Sequence, residues 1–349
     1  MSNYSINFVT ASELLNETRP EPLIEGFIQE QEAVCLYGVP NGGKSFLALD
    51  WALCVATGKP WLDTYAVKQG PVIYMAGEGA PSLQRRVQAW CDYHKIHEIN
   101  GAYFQLRPLP LRDEDVITEI QATLETFAEP IRGEGDEAAM STRLIVVDTL
   151  SQFFGGGDEN GPDMALFVNN LRRLSHDADT AVLIVHHSNK GGIQERGHTA
   201  LRGNLDVMFQ CMPVMDVERL DGLTIVNDKQ RDNPRAKRLA LKLKLVGDSL
   251  VVVPTMDDKV KLPKVSATLM HVLEGILNTE DPLKEVCRNV ELADYLGKSV
   301  PAVHENLQNL EGKKLVKHGE RGFSSLTTLG RLVLDDAGIE REDIEEEDE

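Results

Sequence analysis

Residues Gly38-Val39-Pro40-Asn41-Gly42-Gly43-Lys44-Ser45 fit the pattern G-x-x-x-x-G-K-[ST] at every position. Glycines at those places let backbone N–H groups turn inward around phosphate oxygens, and a helix starting at the lysine adds positive potential. Lys44 would reach the outer phosphates of a nucleoside triphosphate, and the Ser45 hydroxyl would ligate Mg²⁺. The pattern carries that meaning only between a strand and a helix. Glu32 to Tyr37 reads as a buried strand and Phe46 to Leu53 as a helix, so the context is present. The alternative is an ordinary glycine turn ending in an exposed lysine.

Three further residues sit where strands should end. Asp148 closes the β-branched run Arg143-Leu144-Ile145-Val146-Val147, the mark of a strand buried on both faces of a parallel sheet. The carboxyl ends of such strands open onto the ligand crevice, so Asp148 can hold Mg²⁺ opposite Ser45; a turn-capping aspartate is the alternative. Glu78 closes the run Pro71 to Gly77, and a carboxylate there suits orienting water toward a γ-phosphate, unless it is a capping or surface glutamate. His187 ends Thr180 to His187 and can hydrogen-bond a γ-phosphate and report its loss, while strand alternation turns His186 the other way. Neither the His–His pair nor Cys91, His94 and His97, spaced by three, has a ligand set to make a metal site; the latter read as solvated helix-end side chains.

These residues need a scaffold. The expected helices at 82–93, 113–128 and 163–176 alternate with the apolar runs, which means an α/β fold with a mostly parallel sheet. Strand-like runs at 222–228 and 238–246 extend it in antiparallel style. Residues 1–30, with Pro20 and Pro22, read as a linker or arm, and 31–260 as the nucleotide-binding domain. Beyond Pro263, helices near 266–278, 284–296 and 299–311 and a hairpin over 314–327 give the plan of a winged helix-turn-helix, 265–334. Residues 335–349 hold ten acids and one arginine and read as a disordered tail, which supplies −9 of the chain's formal charge of −19.

That charge excludes a protein coating nucleic acid with its whole surface; DNA contact would need local basic clusters. No apolar run approaches the ~20 residues of a membrane span, and the N-terminus lacks signal-peptide character. Five cysteines without a C-x-x-C pair suggest small buried residues in a reducing cytoplasm. Two glycine-containing loops, 155–162 and 188–197, should leave the carboxyl edge, the second carrying Lys190 and Arg196 for phosphate backbones; plain surface loops are the alternative. At a strand end, Lys229-Gln230-Arg231 offers an arginine to the γ-phosphate of an adjacent subunit, or else begins a solvated basic hairpin.

Taken in order, these segments resemble the RecA-like ATPase core of hexameric helicases, particularly the RepA-type plasmid group and its phage and plasmid relatives. The resemblance covers roughly 8–250. It rests on Gly38 to Phe46, Tyr74 to Gly79, Ile145 to Ser151, Gly156 to Asn160, Val185 to Lys190, Arg196 to Gly203 and Lys229 to Arg231. It implies Glu78 as catalytic base, Asp148 as the second acid for Mg²⁺ and His187 as γ-phosphate sensor. Lys229 and Arg231 are similar to the lysine and arginine that DnaB-like helicases insert into the neighbouring site. Arg86 resembles a residue near the bound base, and the two loops match those facing DNA, with Lys190, Arg196 and Arg202 as the implied DNA-binding residues. Asp206 stands near where RepA-type proteins carry a finger arginine, with Arg202 close by, so the trans-acting cation is open between Arg231 and Arg202, with Arg231 favoured.

The resemblance implies an ATP- and Mg²⁺-dependent homo-oligomer, a hexamer first of all, moving on single-stranded DNA as a replicative helicase. The alternatives are a recombination or annealing mediator and a DNA-binding regulator or loader that uses ATP as an assembly switch. Replication or recombination proteins are the further partners; no membrane is involved. The expected recognition helix, near Val300 to Asn306, lacks lysine and arginine, whereas its wing carries Lys313, Lys314, Lys317 and Arg321, so DNA binding, self-association and partner docking stay open there.

Overall fold

The computed structural model describes residues 8–16, 20–127, 141–188, 200–216, 219–255, 264–281, 286–318, 322–327, 330–331, 333–334 and 337–339. A short helix α1 (Ala11–Asn16) precedes a hairpin of β1 (Pro22–Ile24) and β2 (Ile28–Gln29), then β3 (Ala33–Gly38) and α2 (Lys44–Thr57). Next come β4 (Val72–Ala76), α3 (Ala80–His94), β5 (Ala102–Gln105), α4 (Glu114–Phe127), β6 (Leu144–Asp148), α5 (Leu150–Phe153), α6 (Asp163–Asp177) and β7 (Ala181–His187). Helix α7 (Ala200–Asn204) leads into β8 (Val207–Asp216), β9 (Arg219–Gln230), β10 (Leu239–Val246) and β11 (Ser249–Pro254).

Nine strands form one sheet in the order β11-β10-β9-β8-β3-β7-β6-β4-β5. The six from β8 to β5 run parallel, and β9, β10 and β11 add an antiparallel wing. This is the expected α/β fold, a mostly parallel phosphate-loop NTPase core. Strands β3, β4 and β6 are buried at every position, as their continuous apolar sequences require for a sheet covered on both faces. Alternation then divides the side chains between two cores. Val34 and Leu36, Tyr74, Leu144 and Val146, and Leu183 and Val185 point toward α2 and α3. Cys35 and Tyr37, Met75, Ile145 and Val147, and Val182 and Ile184 point toward α4, α5, α6 and α7.

The N-terminal arm ends earlier than expected. Leu23, Ile24, Phe27 and Ile28 are buried, and the Phe27 ring meets Trp61 edge-on at 4.7 Å, so 22–29 belongs to the core; Pro20 and Pro22 start the hairpin instead of marking a linker. Strands β5, β8 and β11 were absent from the expectation. In β8, Gln210 and Pro213 interrupt any apolar pattern, yet the strand lies inside the sheet.

The C-terminal unit comprises α8 (Ala267–Thr279), β12 (Cys287–Arg288), α9 (Asn289–Tyr295), α10 (Val300–Gly312), β13 (Val316–His318) and β14 (Phe323–Leu326). It has its own core, built on Val272, Ile276, Leu292, Val303, Leu307 and Leu315, and its strands order as β12-β14-β13. The helix expected over 284–296 starts only at Asn289, because β12 takes the preceding residues. Arg321 and most of the acidic tail lie outside the described residues. Among those described, no helix is long and apolar enough to cross a membrane.

Candidate active site

The phosphate loop joins β3 to α2 in mid-sheet, with β7 between β3 and β6. Gly43 ends it at φ +88°, a left-handed conformation that a side chain would strain, and so starts α2 at Lys44 with its first N–H groups toward the loop. Gly38 is required for a different reason: a Cβ there would lie 2.2 Å from the Cys211 carbonyl oxygen of β8.

Parity places the acids. Asp148 shares a face with Leu144 and Val146, the face covered by α2, and its Oδ1 accepts the Ser45 hydroxyl at 3.0 Å. Its Oδ2 accepts the Tyr74 phenol at 2.6 Å. Asp148 is nearly buried, and burial raises its pKa, opposed by the Tyr74 and Ser45 hydrogen bonds. Lys44, also buried, donates to the Val39 and Gly38 carbonyls at 2.8 and 3.1 Å; burial lowers its pKa. His187 follows Leu183 and Val185 onto the same side, and its Nε2 lies 4.0 Å from Glu78 Oε1. Thr149 donates to that same Oε1 at 3.0 Å and Gln152 at 3.4 Å, so Glu78 is held where the crevice opens. At the rim the Arg86 guanidinium sits 4.7 Å from the Phe46 ring centroid.

Pro40 to Phe46, Glu78, Gly79, Arg86, Thr149, His187 and Leu220 line one cleft of about 610 Å³. Thus Gly38, Val39, Pro40, Asn41, Gly42, Gly43, Lys44, Ser45, Phe46, Glu78, Arg86, Asp148 and His187 lie together at or beside this cleft. Sequence reasoning missed Tyr74, Thr149 and Leu220. Alternation on β4 could have found Tyr74, and Thr149 follows Asp148 directly; Leu220 comes from the β8–β9 hairpin, and nothing local signals it.

The site fits a triphosphate with a divalent cation. The loop is a backbone cradle closed to side chains at Gly38 and Gly43, and a hydroxyl and a carboxylate meet on its floor as hard oxygen donors. Ser45 and Asp148 would hold Mg²⁺, which when bound neutralises charge developing on the phosphate oxygens. The chain's own residues would do the rest: Lys44 would exchange two carbonyls for phosphate, Glu78 is placed to orient a water and take its proton, and His187 to hydrogen-bond an outer phosphate.

The remaining expected residues lie elsewhere. Lys229, Arg231 and Arg202 gather at the amino edge of the sheet, five residues back along β3 from Gly38, on the order of 17 Å away. Arg231 donates to Asp206 at 2.7 Å and to the Gly203 carbonyl at 3.2 Å, leaving its fork partly exposed. Lys229 does not project toward a neighbour: its ammonium donates to the Arg202 and Leu205 carbonyls at 2.5 and 2.7 Å, and burial lowers its pKa. Arg202 is ion-paired with Asp228 on the α7 side of the sheet, with its guanidinium partly exposed. Lys190 and Arg196 fall outside the described residues. The first glycine loop is closed by local bonds: Asp163 accepts from the Asp158 N–H at 3.1 Å and pairs with Arg112 at 2.7 Å. His94 is not solvated; it lies against Trp90 at 4.4 Å, and burial pushes its pKa down to about 4.

Fold and cleft define a phosphate-loop NTPase. Residues 5–192, more than half of the chain, match the AAA domain family, and the chain belongs to that family. Among solved structures it is similar to the crystal structure of the RadB recombinase, at 15% identity and a TM-score of 0.44, over 62% of this chain and 88% of that one.

Proposed function

We propose that this chain is an ATP hydrolase that assembles with copies of itself into a ring and translocates on single-stranded DNA, as a replicative helicase of the RepA type. The observation that carries this reading is the division of cations between opposite edges of one sheet. Lys44, Glu78, His187 and the Ser45–Asp148 pair occupy the carboxyl edge, while the half-exposed Arg231 stands at the amino edge, beyond reach of its own cleft. A head-to-tail neighbour would bring one edge against the other, and an arginine so delivered is worth ~10³–10⁵ in rate. Lys229 serves instead as a brace for the strand end that presents Arg231. The C-terminal unit is read as a winged helix. The sequence of α10 contains neither lysine nor arginine, which favours a role in partner docking or in DNA contact through Lys313, Lys314 and Lys317 over base reading by this helix.

Mixing two inactive variants tests the shared site. Lys44→Ala removes the loop cation and Arg231→Ala the delivered one. In an equimolar mixture about one interface in four would pair an intact loop with an intact arginine, restoring about a quarter of wild-type turnover. No recovery, or normal turnover by Arg231→Ala alone, refutes it. Stimulation by single-stranded DNA with strand displacement supports the helicase. Stimulation without displacement moves the reading to an annealing or recombination mediator. Negligible hydrolysis with duplex binding that survives Lys44→Ala moves it to a regulator.

A further inference from the structure

Tyr37 is the residue immediately before the phosphate loop, and it faces away from the nucleotide. Parity puts its ring on the α7 side of the sheet, where its phenol donates to Asp228 Oδ2 at 2.6 Å. Asp228 reaches that face through a β-bulge. Met208 pairs with Lys229 and Phe209 with Asn227, so residue 228 is the extra one in β9. Consecutive side chains 228 and 229 therefore both turn toward α7, which strict alternation forbids. Asp228 pairs there with Arg202 of α7, and Lys229 donates to the carbonyls of Arg202 and Leu205 at the helix end.

The other flank of segment 189–199 leads to the same place. The Ser188 N–H donates to the Gly38 carbonyl at 2.9 Å, and the Lys44 ammonium donates to that same oxygen at 3.1 Å. Adjacent residues 37 and 38 thus hold both flanks of one segment. A bound phosphate would compete with these carbonyls for Lys44, so nucleotide arrival would change what Gly38 carries. An element with two arrangements, biased by one ligand, is what coupling between sites requires.

We propose that Asp228 is a positioning residue that ties Tyr37 to Arg202, so that occupancy of the phosphate loop sets the stability of α7. The inference rests on the nucleotide-site reading and does not require that DNA be a ligand.

The test is amide hydrogen exchange over residues 200–206 of the full chain, with and without Mg²⁺ and a non-hydrolysable ATP analogue, alongside nucleotide affinity and thermal midpoint. In the wild-type protein, saturating nucleotide should change exchange at Leu205 and Asp206 by about fivefold or more, the low end of measured site-to-site couplings. Tyr37→Phe and Asp228→Asn should keep nucleotide affinity and DNA-free turnover but reduce that ratio toward one. A purely structural role would instead lower the midpoint and leave the ratio intact. A wild-type ratio of one, or a Tyr37→Phe ratio equal to wild type, overturns the proposal. If the ratio behaves as expected while single-stranded DNA neither binds nor stimulates turnover, the relay stands and the motor reading falls. If the wild-type protein binds no nucleotide, both fall.

Discussion

Asp50 lies inside the protein, where the nearest basic side chain among the described residues is the His94 imidazole at 4.0 Å, neutral above about pH 4. Replacing this aspartate by asparagine should change how stability depends on pH. It sits on α2, six residues after Lys44, and accepts indole N–H groups from Trp61 at 2.8 Å and Trp90 at 2.7 Å. Trp90 is on α3, the helix that carries Arg86, so the carboxyl joins the two helices framing the cleft. Burial, opposed by the two indoles, raises the Asp50 pKa from 3.8 to about 7. The folded protein therefore binds this proton more tightly than the unfolded chain. The stability it contributes is complete below about pH 4 and is lost as pH rises through about 7. Between pH 5 and pH 8.5 the folded state gives up about two pKa units of that advantage, roughly 3 kcal/mol. Asparagine does not titrate and has one acceptor oxygen for two donors, so at pH 5 Asp50→Asn should cost about 1–3 kcal/mol. By pH 8.5 that gap should close or reverse. Glu32, which burial raises to about 7, titrates in both proteins and cancels, and His94 at about 4 stays neutral throughout. Urea denaturation of both proteins at the two pH values, followed by tryptophan emission, gives the difference directly. A gap that is the same at pH 5 and pH 8.5 would refute the reasoning.

Two further outcomes can be checked with the same methods. Gly38→Ala places a methyl group 2.2 Å from the Cys211 carbonyl oxygen, so β3 and β8 must separate at the loop; we expect about 1–3 kcal/mol lost in urea and nucleotide affinity reduced with it. Arg331 pairs with both oxygens of the nearly buried Glu280, at 2.8 and 2.9 Å, and Arg331→Ala should destabilise the C-terminal core by on the order of 3 kcal/mol. In calorimetry that appears as an earlier transition with ATP turnover unchanged, because the altered pair lies in a core separate from the cleft.

The cleft was legible in the sequence because strand parity and a loop pattern are local. Asp148 and His187 sit at the ends of apolar runs whose alternation alone turns them toward α2, and the glycines of 38–43 declare the backbone they need. The amino edge was not legible, for a reason visible in its residues. Lys229, Arg231 and Arg202 look alike in sequence, yet one caps the end of α7, one leans on Asp206 with part of its fork exposed, and one is folded onto Asp228. What separates them is the bulge at 228, which exists only in the register between β8 and β9, and β8 itself is hidden by Gln210 and Pro213. The same holds for His94, whose spacing from Cys91 and His97 says nothing of the indole beside it. Basic residues at a strand end thus carry no role until their acidic partners are known. Here those partners, Asp228 on the α7 side and Asp206 at the strand end, set Arg202 and Arg231 apart by position, since both guanidiniums keep about a third of their surface exposed.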